Sequence, residues 1–270
     1  MDWNKTKSIF IIVFAILNVF LYSLYLERYK EAESVVFLTE SSNEEKLEAE
    51  GITYADLPES AGTLPYVTGT MKTFVATDVP GVDLKENRRN DKLLSVSFTE
   101  PIPLDDKIST ETLEEFVEET IYEGEQYGLW KIEEQQKRAM FFQEINGEPL
   151  FYSDSGNLQV YWNDDGEITH YEQAIFENIV EGEQQKDLIS PVQAIHNLYQ
   201  KRFLPSNTEI DSADLGYSEY VTVSENTQMF LPTWRIQATF EDGTAEEFFV
   251  NAVKGDVIEL KKTEQAEVTQ

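Results

Sequence analysis

The sequence predicts an α+β protein: an N-terminal transmembrane helix followed by two helix-plus-antiparallel-meander units. Three observations carry this. Residues 9–26 form an uncharged run of 18 residues. Two later segments show apolar side chains at helical spacing behind good N-caps. Each is followed by short alternating segments broken by hairpin dipeptides. The expected divisions are 1–30 for a tail and anchor, 31–182 for a first extracytoplasmic domain with a stalk, and 183–270 for a second.

The anchor reads IFIIVFAILNVFLYSLYL. At about 1.5 Å per residue it spans roughly 27 Å, one hydrocarbon core. A cleaved signal peptide would have a shorter apolar region and a small-x-small site after it. Glu27-Arg28-Tyr29-Lys30-Glu31 follows instead, so an uncleaved anchor is expected. Trp3 at one end and Tyr22, Tyr25 and Tyr29 at the other suit the interfacial belts. A short tail beside a large domain favours a cytoplasmic N-terminus with the remainder outside the membrane. Asn18 interrupts the run, and an amide in lipid gains by hydrogen-bonding to a neighbouring helix. Asn18, Ala15, Leu21 and Ser23 are therefore the candidate transmembrane contact, with Phe14 and Leu24 packing around them.

Beyond the anchor, 31–61 reads as a stalk, with a short helix over Asn43–Glu50 anchored by Leu47. Strands are expected at Leu64–Val75 and Leu93–Phe98. A helix begins at Ser109 or Thr110, with Leu113, Phe116, Val117, Thr120 and Ile121 on one face and Gly124 as its stop. Strands follow at Trp130–Ile145, Pro149–Ser153, Leu158–Asn163 and Ile168–Ile179, with turns at Asn146-Gly147, Asp154-Ser155-Gly156 and Asp165-Gly166. A second helix has Ser190 as N-cap, Pro191 at its first position, Gln193 closing a capping box, and Pro205 ending it. Four more strands follow, near Leu215–Val223, Met229–Phe240, Ala245–Asn251 and Asp256–Leu260. The two helix starts lie 81 residues apart. The repeat is one of element order, and Glu181–Asp187 is the expected join. Phe116, Ile121, Val160, Trp162, Ile195 and Leu198 are expected in the core.

Composition narrows the function. The chain of 270 residues carries 21 Lys and Arg against 51 Asp and Glu, a net charge of −30. Beyond residue 30 the counts are 17 basic and 49 acidic. Phosphate binding needs a basic surface, so no nucleic-acid partner is expected, nor broad adhesion to anionic lipid or wall polymer. With no cysteine, disulfides, thiol nucleophiles and thiolate metal sites are excluded. The only histidines, His170 and His196, lack the third ligand a zinc site needs, and no metal or cofactor is expected. No Gly-x-Ser-x-Gly elbow or phosphate-binding glycine loop occurs. Carboxylate pairs such as Asp105/Asp106 and Asp164/Asp165 are common in so acidic a chain, and the second already belongs to a turn. Asp154-Ser155-Gly156-Asn157 lacks the twelve-residue calcium pattern. Trp130, Trp162 and Trp234 read as core. The residues show no assembled catalytic site; an extracytoplasmic wall-polymer-binding protein or a carboxylate-based glycoside hydrolase is the alternative carried forward.

The opening Met1-Asp2-Trp3-Asn4-Lys5-Thr6-Lys7, the Ile16-Leu17-Asn18 of the anchor and the acidic, cysteine-free exterior resemble the YycI (WalI) family. Ile189-Ser190-Pro191-Val192-Gln193-Ala194-Ile195, Leu231-Pro232-Thr233-Trp234-Arg235-Ile236 and Phe249-Val250-Asn251-Ala252-Val253-Lys254-Gly255 are similar to it as well. The C-terminal pattern also looks like the small modules related to PepSY domains. The resemblance implies a single-pass protein of low-GC Gram-positive bacteria. It implies action with the related protein YycH on the sensor histidine kinase YycG (WalK), which governs cell-wall metabolism. It further implies contacts between its membrane helix and those of the kinase, an exterior paired with a YycH-like protein, and no enzymatic activity.

Overall fold

The computed structural model describes residues 7, 10–11, 13–22, 42–54, 57–58, 62–75, 92–104 and 108–260. The fold is α+β, mostly sheet with few helices. Residues 10–11 and 13–22 are helical. Among the described residues no helix is long and apolar enough to cross a membrane. The expected span includes Ile9, Ile12 and residues 23–26, which lie outside the described residues.

The first sheet is antiparallel, with strands β3 (Leu94–Ile102), β4 (Tyr127–Glu133), β5 (Arg138–Ile145), β7 (Asn157–Trp162) and β8 (Ile168–Gln173) in the order β3-β8-β7-β5-β4. The two-residue β6 (Glu148–Pro149) pairs with β5. Helix α2 (Thr110–Thr120) covers one face. Ser109 caps it, and the Ser109 and Thr112 side chains bond reciprocally to each other's backbone N–H. Leu113, Phe116, Val117 and Ile121 pack on Ala139, Phe141, Leu158, Val160, Ile168 and Tyr171. Thr120, expected on this face, is exposed. The helix ends at Thr120 rather than at Gly124. Gly124 is needed for space, since a Cβ there would lie 1.9 Å from the Val117 carbonyl oxygen.

The expected single strand Trp130–Ile145 is two. The chain reverses through Glu134–Gln136, with Lys137 in the left-handed region at φ 51°. Pro149–Ser153 contributes only Pro149 to a strand. Ile168–Ile179 is also divided, because Ala174 and Ile175 carry the chain from one sheet to the other. The four-stranded meander β4-β5-β7-β8 therefore survives with different members. Trp162, expected buried, is half-buried at the edge of this core.

The second sheet contains β10 (Glu209–Ser224), β11 (Thr227–Thr239), β12 (Ala245–Asn251) and β13 (Val257–Ile258) in sequence order, again a meander. β1 (Thr53–Tyr54) joins β10 in parallel, and β2 (Thr63–Met71) joins β11 and then β9 (Phe176–Asp187). Glu181–Asp187, the expected join, lies within β9. Helix α3 (Pro191–Gln200) and the short helix α1 (42–49) cover this sheet. Leu47, Ile195, Leu198, Trp234, Ile236 and Val250 form the core beneath them, all at most 1% exposed.

Ser190 accepts from the Gln193 N–H, but Gln193 does not close the expected box. Its side chain instead accepts from Asn43 of α1 at 2.7 Å and donates to Asn197 at 2.8 Å. α3 ends at Gln200, five residues before Pro205. Arg202 takes the left-handed conformation, and the Arg202 and Phe203 N–H groups bond back to Tyr199 and Leu198. That is the Schellman pattern, which stops the helix before proline has any influence.

Candidate functional site

The described residues that could serve catalysis do not converge. His170 lies on β8 of the first sheet, stacked on Tyr161 at 4.3 Å and bonded to Thr169. His196 lies in α3 over the second sheet, buried beside Gln200. Burial lowers the pKa of both, and Lys46 lowers that of His196 further. Asp164 pairs with Lys137, while the Asp165 N–H bonds to the Asn163 side chain in the β7–β8 turn. Asp105 and Asp106 lie outside the described residues. Asn157 is turned to the Ser153 carbonyl, completing a tight turn. Among the described residues no group of three or more His, Asp or Glu side chains could hold a metal ion. Trp234 is core, bonded through Nε1 to the Ile189 carbonyl at 2.9 Å.

Trp130 takes part in the junction between the sheets. Strand alternation sends Ala139 and Phe141 toward α2, and Met140 and Phe142 to the opposite face. There Phe142 and Trp130 meet Phe151 and Phe249 of the second sheet's side. The Arg235 guanidinium stacks 4.2 Å from the Trp130 ring and is paired with Glu247 and Asp214. Tyr152 donates to Glu247 at 2.9 Å, and its burial beside that carboxylate pushes its pKa up to about 12. These charges are fixed to each other and, through Tyr152 and Trp130, to the side chains of the first sheet.

Of the anchor candidates, Ala15, Asn18 and Leu21 are described and Ser23 lies outside the described residues. Ala15 and Asn18 line a shallow depression with Phe10, Ile11 and Phe14. Their spacing places them on one helix stripe. Leu21 is 52% exposed.

A second exposed apolar surface was missed from sequence. Beyond the helix-covered part of the second sheet, β9, β2, β11 and β10 lie side by side. One face buries Val67, Phe176, Tyr217 and Phe230 against Ile145 and Leu150. On the other, the register places Val180, Thr68, Met229 and Val221 in one row across all four strands. Tyr220 and Val223 occupy bulge positions of β10, with no register partner on β11. Tyr66 approaches Tyr220, their ring centroids 6.3 Å apart. Val180, Tyr220, Val221 and Val223 are 60%, 48%, 47% and 55% exposed. The alternating pattern gave no signal, because β-branched residues suit a strand on either face.

The model of the YycI protein family matches residues 33–253. The chain belongs to the YycI family. Membership supports a regulatory role in the YycG/WalK histidine-kinase system rather than an enzymatic one. No curated protein matches. Among solved structures, an uncharacterized protein from Eubacterium rectale is 11% identical, with a TM-score of 0.48 over 78% of this chain and 91% of that one. The YpeB C-terminal domain of Bacillus megaterium is 16% identical, with a TM-score of 0.39 over 62% and 72%.

Proposed function

We propose that this YycI-family chain is a non-enzymatic, single-pass regulator of the sensor kinase YycG/WalK, working through its membrane helix and through an exterior paired with a YycH-like protein. The family match over 33–253 carries the reading. The N-terminus is cytoplasmic, and both sheets lie outside the membrane. The stripe of Phe14, Ala15, Asn18 and Leu21 packs against a kinase helix, and Ser23, a small residue off that stripe, completes the candidate set. An amide–helix hydrogen bond in lipid contributes about 0.6 kcal/mol on average and up to about 1.7 kcal/mol. That biases a kinase whose two states differ by a few kcal/mol.

The test is replacement of residues 9–26 by an unrelated apolar helix, read by transcription of kinase-controlled genes. Loss of regulation at unchanged surface level is expected, and Asn18→Leu should cause a partial loss. Normal regulation by the swapped protein would remove the membrane helix from the mechanism. Protease added to protoplasts should remove a C-terminal epitope; a protected epitope would reverse the topology.

A further inference from the structure

We propose that the open face of β9, β2, β11 and β10 docks a folded extracytoplasmic protein whose contact surface is apolar and bordered by Lys and Arg. The proposal rests on the reading that the exterior works by pairing, and adds where and with what chemistry.

Single exposed apolar side chains are ordinary, but a contiguous group across adjacent strands marks an interface. Val180 and Val221 stand at the two ends of one register row, joined by Thr68 and Met229. The opposite face of the same strands is occupied by core, so this face alone is available. Two β10 bulges sit within the patch, and bulges re-aim side chains out of a regular sheet. Tyr220, at one of them, is the residue type that anchors interfaces well, combining a large ring with a polar tip.

Charge selects the occupant. Across β2, β9 and residues 217–230 there are six acidic residues and one basic residue, Lys186; Glu181 and Glu219 share the core-face row of Val67 and Phe230, which leaves Glu177, Glu183, Asp187 and Glu225. Lys186 lies 5.9 Å from the Tyr66 ring centroid. Glu177 shares the outward row of Thr70 and Thr227 beside the apolar row and pairs with Lys72 at 3.5 Å, so the net negative charge here rests on Glu183, Asp187 and Glu225. A second copy would bring the same acids together, and each whole chain carries −30. An anionic lipid surface is repelled in the same way. A protein with a basic border gains where these two lose.

The test uses the full chain in nanodiscs and, as probe, a full-length YycH-family protein from the same cell. Native binding should weaken as salt rises from about 0.05 to 0.5 M, because attraction between opposite charges is screened. Val221→Lys and Val180→Lys should each weaken binding about tenfold or more, and more than Val221→Glu and Val180→Glu, at unchanged melting temperature. If the variants bind like the native chain, the face is wrong while pairing stands. If salt strengthens binding, or Glu costs more than Lys, the basic border is wrong. Self-association of the native chain that Val221→Lys abolishes would assign the face to a second copy. A native chain that does not bind the probe would overturn the exterior part of the proposed function, and this inference with it.

Discussion

The two helix-and-meander units share an element order but differ in how far their strands outrun their helices. In the first, α2 has 11 residues and extends about 16 Å, while the central β7 and β8 have six each, about 20 Å. Helix and strands match, and the face beneath α2 is closed. In the second, α3 has 10 residues, about 15 Å, over β10 and β11 of 16 and 13 residues, roughly 40–50 Å. The uncovered length recruits β2 and β9 as neighbours, and among the described residues neither α1 nor α3 contributes to its core. One unit is a finished core, and the other carries an open surface. Strand length, not element order, separates them.

The largest expected effect tests whether both units belong to one cooperative fold. Leu158 beneath α2 and Leu198 in α3 are both fully buried. Truncating either to Ala should cost about 2–5 kcal/mol. Because the junction joins both sheets, both variants should lower a single thermal transition. Two transitions, each sensitive to one variant, would make the units independent.

The junction and the open face should then differ sharply. Gln143 of β5 is fully buried and bonds both ways to Phe176, accepting from its N–H and donating to its carbonyl, each at 2.8 Å. This side-chain amide acts as a strand partner at the place where the chain leaves the first sheet for β9. Gln143→Leu strands two buried backbone groups and should cost about 2–4 kcal/mol. Val221→Glu on the open face should change stability by less than about 0.5 kcal/mol. Comparable losses in urea melts would mean that the open face is a structural one.

Much of this contrast was readable in sequence, and the misses have physical causes. Ser190-Pro191 and Ser109 announced both helix starts, because N-caps act within four residues. The meander order in the first unit followed from Asn146-Gly147 and Asp165-Gly166. The end of α3 was misplaced because Arg202 adopts a left-handed turn that favours glycine or asparagine. Trp130–Ile145 concealed a hairpin because Lys137 fills its left-handed position. Gln193 satisfied the capping-box pattern, yet tertiary contact with Asn43 claimed its side chain. The open face was invisible, since exposure on a strand of Val and Tyr depends on what packs above it. That depends on where α3 ends relative to β10 and β11, a comparison between distant parts of the chain.

The smallest expected effect concerns what lies on top of each helix. α3 carries α1, docked through Leu47 and through Asn43 on Gln193. His196 is buried at 4% exposure on this side of the molecule, with Nδ1 lacking a hydrogen-bond partner and Lys46 of α1 as the nearby charge. Burial and then Lys46 hold its pKa below the ordinary histidine value of 6.5. The folded chain therefore takes up this proton less readily than the unfolded chain. Above about pH 6.5 both states are neutral here and the full stability is present. As pH falls below 6.5 the unfolded state gains the proton first, and stability declines until the folded histidine is protonated too. His170 is lowered by burial in the same direction, against an opposing Glu172, so it adds to the decline. The melting temperature of the native chain should fall between pH 7.5 and 5.5, by less with His196→Gln and by least with both histidines replaced. Parallel declines in native chain and His196→Gln would place the acid sensitivity in the first unit, at His170. A smaller decline in His196→Gln alone would place it where α1 meets α3.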